Sequence, residues 1–365
     1  MKSTFLYLIG QLACGGSERQ LSWLLSTLDQ DRYQPVVAVW SYSSDDKYVD
    51  ELRERGVEII PLPRSASVLS KARILRRLVK EIKPQVVHSL SFYTNTVAWL
   101  ASIGTRSVPI GSVRSDFFRS RRKIGRLLGN LNSCLPGHQV YNSELSAEEA
   151  RNCQTYFKPR EITVVRNGVD LSHFSEDESE NSDRSILRIV GVGSLVSVKR
   201  WDKLIACAAI LKKRGVRFQL KLAGDGPLRE ELVSQAAALD LCREIQFLGQ
   251  VDNIPGLLAS SDVLVHCSDF EGCPNSVMEA MACGLPVVAT MAGDASVLID
   301  NGTTGYIVEL EDIQAIANAL HHLDENPNLA SQMGRASRRK AEREFGLQRM
   351  MLGTLQAYRA AGWSE

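Results

Sequence analysis

The sequence has no C-x-x-C pair. Its eight cysteines, Cys14, Cys134, Cys153, Cys207, Cys242, Cys267, Cys273 and Cys283, are scattered, several of them inside apolar runs. That spacing argues against a zinc site and against a disulfide framework, and it reads as reduced, buried thiols in a cytosolic protein. Histidine is scarce: six in 365 residues, none clustered. No apolar run approaches the roughly 18 residues of a membrane span. The first run, FLYLI at 5–9, is shorter than the roughly 7–15 residues of a signal-peptide core and reads as a buried strand. Charge excess is missing too. Lys and Arg number 43 against 42 Asp and Glu, a net charge of +1, so nothing overall recommends nucleic acid as a partner. Neither candidate strand-to-helix turn reads G-x-G-x-x-G with a suitably placed acid, which disfavours a nicotinamide-dependent dehydrogenase. No D-x-D stands in a loop suited to a metal, so neither a metal nor a cofactor is expected.

What the chain does have is alternation. Short apolar runs such as TFLYLIG, PVVAVWS, VVHSL, LRIVGVGS and VLVHCS alternate with amphipathic stretches such as ERQLSWLLSTL, KARILRRLVKEI and WDKLIACAAILKKRG. Near-continuous apolar strands separated by helices predict an α/β class with parallel sheets covered on both faces. The length suits two domains of roughly 150–200 residues each. Residues 171–185, LSHFSEDESENSDRS, are acidic, serine-rich and poor in apolar side chains, and read as a linker or surface loop. The predicted division is therefore 1–170, a linker over 171–185, a second domain over 186–340, and a last helix in 341–365. The helical pattern there runs over 332–361 and is expected to pack back on the first domain.

The richest stretch is DFEGCPNSVMEAMACGLPVVAT, 269–290. VLVHCS before it reads as a strand and NSVMEAMAC as a helix, with Pro274 at its start and Gly284 and Pro286 at its end. Glu271 then lies in the loop before the helix and Glu279 about one turn inside it. The free N–H groups of Ser276 and Val277 form an anion site suited to phosphate. Carboxylates flanking a phosphate repel it unless each is occupied, and an ionised carboxylate only accepts hydrogen bonds. Sugar hydroxyls fit, with a ribose diol on Glu279 and a hexose hydroxyl on Glu271. The bland alternative is acidic residues that stabilise a helix N-terminus by about 0.3–1 kcal/mol with no ligand at all.

This segment resembles the E-x7-E signature of retaining glycosyltransferases of the GT-B fold, family 4 type. GGSERQL, VVRNGVD, GVGSLVSVKRWDKLI, LAGDGPLREEL and FLGQVDNIPGLLASSDVLVHCS follow in that family's order over nearly the whole chain. The resemblance implies two doubly wound Rossmann-like domains facing each other across a cleft, the first holding the acceptor and the second the nucleotide-sugar. It implies that Glu271 contacts the donor sugar and Glu279 the nucleotide ribose, with Gly272, Cys273 and Asn275 in the same turn. Gly15 and Gly16 resemble the loop facing the donor diphosphate, Gly224 lies near the nucleotide, and Val251 and Ile254 border the base. Lys199 and Arg200 resemble the cations that neutralise the leaving diphosphate. Where the family has an arginine five residues before this lysine, the chain has Ser194. Some relatives carry a histidine at the place of Leu90, so His88 reads as structural, with an acceptor contact as its other reading. Arg114 is a candidate for acceptor or phosphate contact.

Two basic segments remain. KARILRRLVKEIK (71–83) sets cations beside an apolar face, and RSDFFRSRRKIGR (114–126) sets arginines beside two phenylalanines. Either is a helix with a solvated basic face or a contact with anionic lipid. The expected activity is transfer of a hexose-type sugar from a nucleoside diphosphate sugar to a glycan or lipid-linked glycan, with retention, in the cytoplasm at the inner face of the membrane. The alternatives are a nucleotide-sugar 2-epimerase on the same fold and a non-catalytic nucleotide-sugar-binding subunit.

Overall fold

The computed structural model describes residues 2–175 and 185–365. They fall into two units, the first Met1–Gly168 with Leu347–Glu365 and the second Val169–Gly346. Of the acidic segment read as a linker, residues 176–184 lie outside the described residues.

Thirteen strands stand among the described residues, five of them on the apolar runs quoted above. Unit 1 holds β1 (Ser3–Ile9), β2 (Tyr33–Val39), β3 (Glu58–Pro61), β4 (Val86–Ser89), β5 (Val108–Val113), β6 (His138–Tyr141) and β7 (Glu161–Val164). They pair in parallel in the order β3-β2-β1-β4-β5-β6-β7. Unit 2 holds β8 (Leu187–Val192), β9 (Phe218–Ala223), β10 (Ile245–Gly249), β11 (Val263–His266), β12 (Val287–Thr290) and β13 (Gly305–Val308). Its order is β10-β9-β8-β11-β12-β13, again parallel. In each sheet the chain winds outward from its first strand, then returns to that strand's other side. Parallel strands need crossover connections, and helices on both faces leave the inner strands no solvent. Accordingly β4, β11 and β12 are buried along their whole length.

The pattern over 332–361 reads as one helix, but the structure has two, Pro327–Glu344 and Leu347–Ala360. The break falls at Phe345 and Gly346. There the Val169 N–H donates to the Phe345 carbonyl at 2.7 Å, and Val169 and Gly346 form a parallel bridge. Backbone groups that would continue the helix are thus taken by a distant segment. No helix of the described residues is long and apolar enough to cross a membrane.

Helix Leu347–Ala360 completes the core of unit 1. Leu355, Tyr358 and the following Trp363 pack in one cluster with Phe5, Tyr7 and Tyr33. The Phe5 ring centroid is 5.2 Å from those of both Tyr358 and Trp363. His88 on β4 belongs to this interior. Its Nδ1 lies 2.8 Å from the Tyr358 hydroxyl and its Nε2 2.8 Å from the Ser112 hydroxyl. Burial, reinforced by the charge of Arg114, pulls its pKa down to about 3, so the imidazole is neutral and committed to the core.

In unit 2 the long helix Pro327–Glu344 lies against helix Asn275–Ala282. Contact is closest at Gly334, where any Cβ would collide with the Gly284 carbonyl. Arg338, one turn on, donates to the Ala282 carbonyl at 2.6 Å and to the Phe174 carbonyl at 2.7 Å. A cation at a helix C-terminus opposes the negative end of its dipole. Gly334→Ala is expected to destabilise unit 2 by about 1–3 kcal/mol, the usual range for overpacking. Thermal unfolding of the variant checks this, and an unchanged melting temperature would show that the two helices are free to separate.

Candidate active site

β8 and β11 are neighbours in the sheet, yet the chain leaves their ends in opposite directions, to β9 on one side and β12 on the other. Such a reversal point is where open α/β sheets bind ligands, beyond the carboxyl ends of the strands. The loops that follow these two strands carry Lys199 and Glu271. They are tied together through the backbone, the Asp269 N–H donating to the Val198 carbonyl at 2.9 Å.

Three groups converge on one oxygen of Glu271. Lys199 Nζ lies 2.5 Å from Oε1, the Ser268 hydroxyl donates to it at 2.8 Å, and His266 Nε2 stands 3.4 Å away. Burial by itself would raise the carboxyl's pKa. The charge of Lys199 and the contacts from His266 and Lys199 more than reverse this and hold it well below the ordinary carboxylate range. Oε2 has no partner among the described residues, which leaves an ionised oxygen with acceptor capacity to spare. Lys199 reaches this position because Gly193 has no side chain: a Cβ there would stand 3.3 Å from the lysine Cε.

A second cluster supports the first. Asp269, two residues before Glu271, accepts from Arg200 at 3.1 Å and from Lys203 at 3.0 Å. Arg200 has a left-handed backbone (φ 49°) and also bonds Asp202 and, at 3.4 Å, Glu311. Lys203, only 1% exposed in its side chain, reaches Glu311 and the Leu310 carbonyl as well. Arg200 is therefore committed to carboxylates of unit 2, while Lys199 alone faces Glu271. Lys203 escaped the sequence reading. Its signal was position, because 203, 207 and 211 share the buried face of helix Trp201–Lys213.

Helix Asn275–Ala282 starts at Pro274 with no side-chain cap, so the first N–H groups, those of Asn275, Ser276 and Val277, lack intrahelical acceptors. Glu279 is buried in this helix at 1% exposure. Gly272 and Cys273 are buried in the preceding turn. Gly293 (φ 52°) presses on the Glu271 and Gly272 carbonyls, and the Asp294 N–H donates to Gly272 O at 2.9 Å. The motif loop is thereby fixed from β12's side, a contact that the local pattern around Glu271 did not announce. Gly224 does a related job: its α-carbon abuts the Gly193 carbonyl, and its N–H donates to Gly249 O at 2.7 Å. Val251 and Ile254 are half-buried in the loop after β10 and at the start of helix Ile254–Ala259.

The unit 1 candidates form their own group. Helix Gly16–Thr27 begins after Gly15, whose missing side chain makes room for the Glu18 carboxylate. Glu18 is buried and its pKa is raised, by desolvation above all, with the charge of Arg114 among the opposing influences. Gln20 in the same helix pairs its amide with both backbone groups of Gly168 at 2.8 Å, joining GGSERQL to VVRNGVD. Arg114 follows β5 and acts electrostatically on both Glu18 and His88.

Comparison with known proteins follows this division. Residues 14–173 match the family model described as Glycosyltransferase Family 4, and residues 174–340 match the one described as Glycosyl transferases group 1. The putative glycosyltransferase EpsF of Bacillus subtilis is 27% identical over 304 residues, 78% of each chain. A Campylobacter jejuni alpha-1,4-N-acetyl-D-galactosaminyltransferase, named for an acceptor glycan on PP-undecaprenol, is 27% identical over 335 residues, 89% of this chain and 90% of that one. Among solved structures, Anabaena Alr3699/HepE in complex with UDP-glucose superposes with a TM-score of 0.84 at 20% identity, over 98% of this chain and 99% of that one.

Glu271 also yields a pH expectation. Its folded pKa lies below the ordinary 4.5, so its pairing contributes stability that is fully present above about pH 4.5 and fades as pH falls through the folded value. Lys199→Met removes the largest opposing influence and leaves burial dominant. The carboxyl of the variant is expected to titrate at higher pH than in the wild type, followed by carbon NMR of the glutamate side chains. An unchanged titration would mean that Lys199 does not hold it.

Proposed function

The chain belongs to the family 4 type of GT-B glycosyltransferases, and on that premise we propose that it moves a hexose-type sugar from a nucleoside diphosphate sugar to a hydroxyl of a glycan or lipid-linked glycan, with retention of configuration. The observation that carries the reading is the convergence on Glu271: one oxygen bonded by Lys199 and the Ser268 hydroxyl, with His266 Nε2 3.4 Å away, and the other open. A carboxylate with one oxygen fixed and one open is pre-organised to take a sugar hydroxyl without rearranging. Lys199, held by that same carboxylate, supplies charge for the departing diphosphate together with the N–H groups that open helix Asn275–Ala282. Because Arg200 is engaged by Asp202, Asp269 and Glu311, and Ser194 stands where the family resemblance leads one to expect arginine, this single lysine carries the side-chain part of that work. Glu279 takes the ribose diol, and Val251 and Ile254 the base.

The acceptor reading draws on unit 1. The Campylobacter jejuni relative is named for a lipid-linked acceptor. Helix Val68–Ile82 buries Leu75 and Val79 and leaves Arg73, Arg77 and Lys80 exposed, a face suited to anionic lipid. We place the enzyme in the cytoplasm, peripheral to the membrane. No step in this scheme uses a metal or a cofactor.

The test is a thermal-shift panel of nucleoside diphosphate sugars in EDTA. At about 100 times its dissociation constant the true donor is expected to stabilise the protein by roughly 2.7 kcal/mol, and Glu279→Ala to abolish that shift. Lys199→Met is expected to lower kcat by about 10²–10³, and proton NMR of the product to show the donor's anomeric configuration kept. No shift with any donor, or a shift that survives Glu279→Ala, would reduce the E-x7-E to a well-packed helix start.

A further inference from the structure

RSDFFRSRRKIGR, read as a single basic helix, is two short helices in the structure. Helix Phe117–Lys123 and helix Arg126–Cys134 meet at Gly125, whose φ is +82°. Gly129 lies against the Arg121 carbonyl, and a Cβ there would collide with it. Between the helices is a cavity of about 580 Å³ lined by Phe118, Arg121, Arg122, Arg126 and Asn130, within the size range of small-molecule sites. Arg121 is fixed in place, its Nε donating at 3.0 Å to the buried Asn130 side chain. Among the described residues no carboxylate pairs with Arg122 or Arg126. The concentration of charge is local. Residues 114–135 contain Arg114, Arg119, Arg121, Arg122, Lys123 and Arg126 against the single acid Asp116, in a chain whose net charge is +1. The lining residue Phe118 is 39% exposed, and Leu127 and Leu128, next to Arg126 in its helix, are 73% and 51% exposed.

Three guanidinium groups lining one cavity, none of them paired with a carboxylate among the described residues, ask for a multivalent anion of phosphate type, whose oxygens match their donor geometry. Exposed apolar side chains on the same two helices ask for hydrocarbon rather than water. We propose that this cavity binds the diphosphate ester of a prenyl-type lipid, the group joining the acceptor glycan to its carrier, with Leu127, Leu128 and Phe118 against the first part of the chain. The inference rests on the lipid-linked acceptor reading above and gives it an address. A nucleic-acid strand would need an extended basic track with bases stacked on aromatic rings, and Phe118 is the cavity's one aromatic lining residue.

The test titrates farnesyl diphosphate, inorganic diphosphate and farnesol into the full chain by calorimetry, with the nucleoside diphosphate chosen by the panel above filling the donor site. Farnesyl diphosphate is expected to bind about tenfold or more tighter than inorganic diphosphate, and Arg122→Gln/Arg126→Gln to weaken it by about tenfold or more. Arg122→Lys/Arg126→Lys is expected to restore most of the loss, and an unchanged melting temperature and donor shift show that the variants are folded. Equal affinity in wild type and the glutamine variant would overturn the proposal. So would displacement of farnesyl diphosphate by phosphatidylglycerol vesicles at equal phosphate, which assigns the arginines to the bulk membrane surface. An intact donor shift with failed prenyl diphosphate binding sinks the cavity and spares the transferase reading. A wild type that answers to no donor sinks that reading first.

Discussion

An ionised carboxylate in a partly buried loop must be paired, and much of unit 2 follows from how Glu271 meets that demand. Its partner Lys199 comes from the end of β8, while Glu271 follows β11. The two strands must therefore be neighbours, which the winding of the sheet achieves by returning β11 to the open side of β8. The loops must also be held at fixed spacing. Asp269 does this twice, through its N–H to Val198 and through its carboxylate to Arg200 and Lys203. Removing either member of such a pair leaves a desolvated charge without compensation, which is why these groups stand or fall together.

The rest of the support is backbone on backbone. Gly224 against Gly193, Gly226 against Leu195, Gly293 against Glu271 and Gly334 against Gly284 are contacts in which a carbonyl fills the space of a missing side chain. Segments in such contact have no soft side chain between them to absorb displacement. A site framed this way holds its donors and acceptors at fixed distances before any ligand arrives, so little ordering entropy remains to be spent on binding.

The strands were legible because a parallel sheet covered on both faces writes itself as apolar runs, and β4, β11 and β12 are such runs. Glu271, Glu279 and Lys199 were singled out as site candidates through motif spacing, and the structure brings Lys199 to Glu271. Lys203 and Gly293 were not, because each acts on a partner or loop that only the fold brings close; His266 and Ser268 stand within five residues of Glu271, but their types alone do not announce the contact. Lys203 and Asp269 are 66 residues apart in sequence, and His266 looked like an ordinary residue of a buried strand. Arg200 is a different case. The lysine–arginine pair suggested two cations with Lys199 the first of them, and the structure pairs Arg200 with Asp202, Asp269 and Glu311. The single helix read over 332–361 failed because a local pattern cannot report that Val169 takes the Phe345 carbonyl.

That break has a consequence for how the molecule is made. Unit 2 is one continuous stretch, Val169–Gly346, whereas unit 1 needs segments on both sides of it. Tyr358 and Trp363, which close the cluster around Phe5, with Tyr358 holding His88, are made only after the whole of unit 2. During synthesis the usual order, amino-terminal domain first, is therefore reversed: the second unit has all its residues available while the first still waits, one face of its sheet uncovered. Throughout that interval the apolar cluster around Phe5 and Tyr33 is the surface most in need of a chaperone.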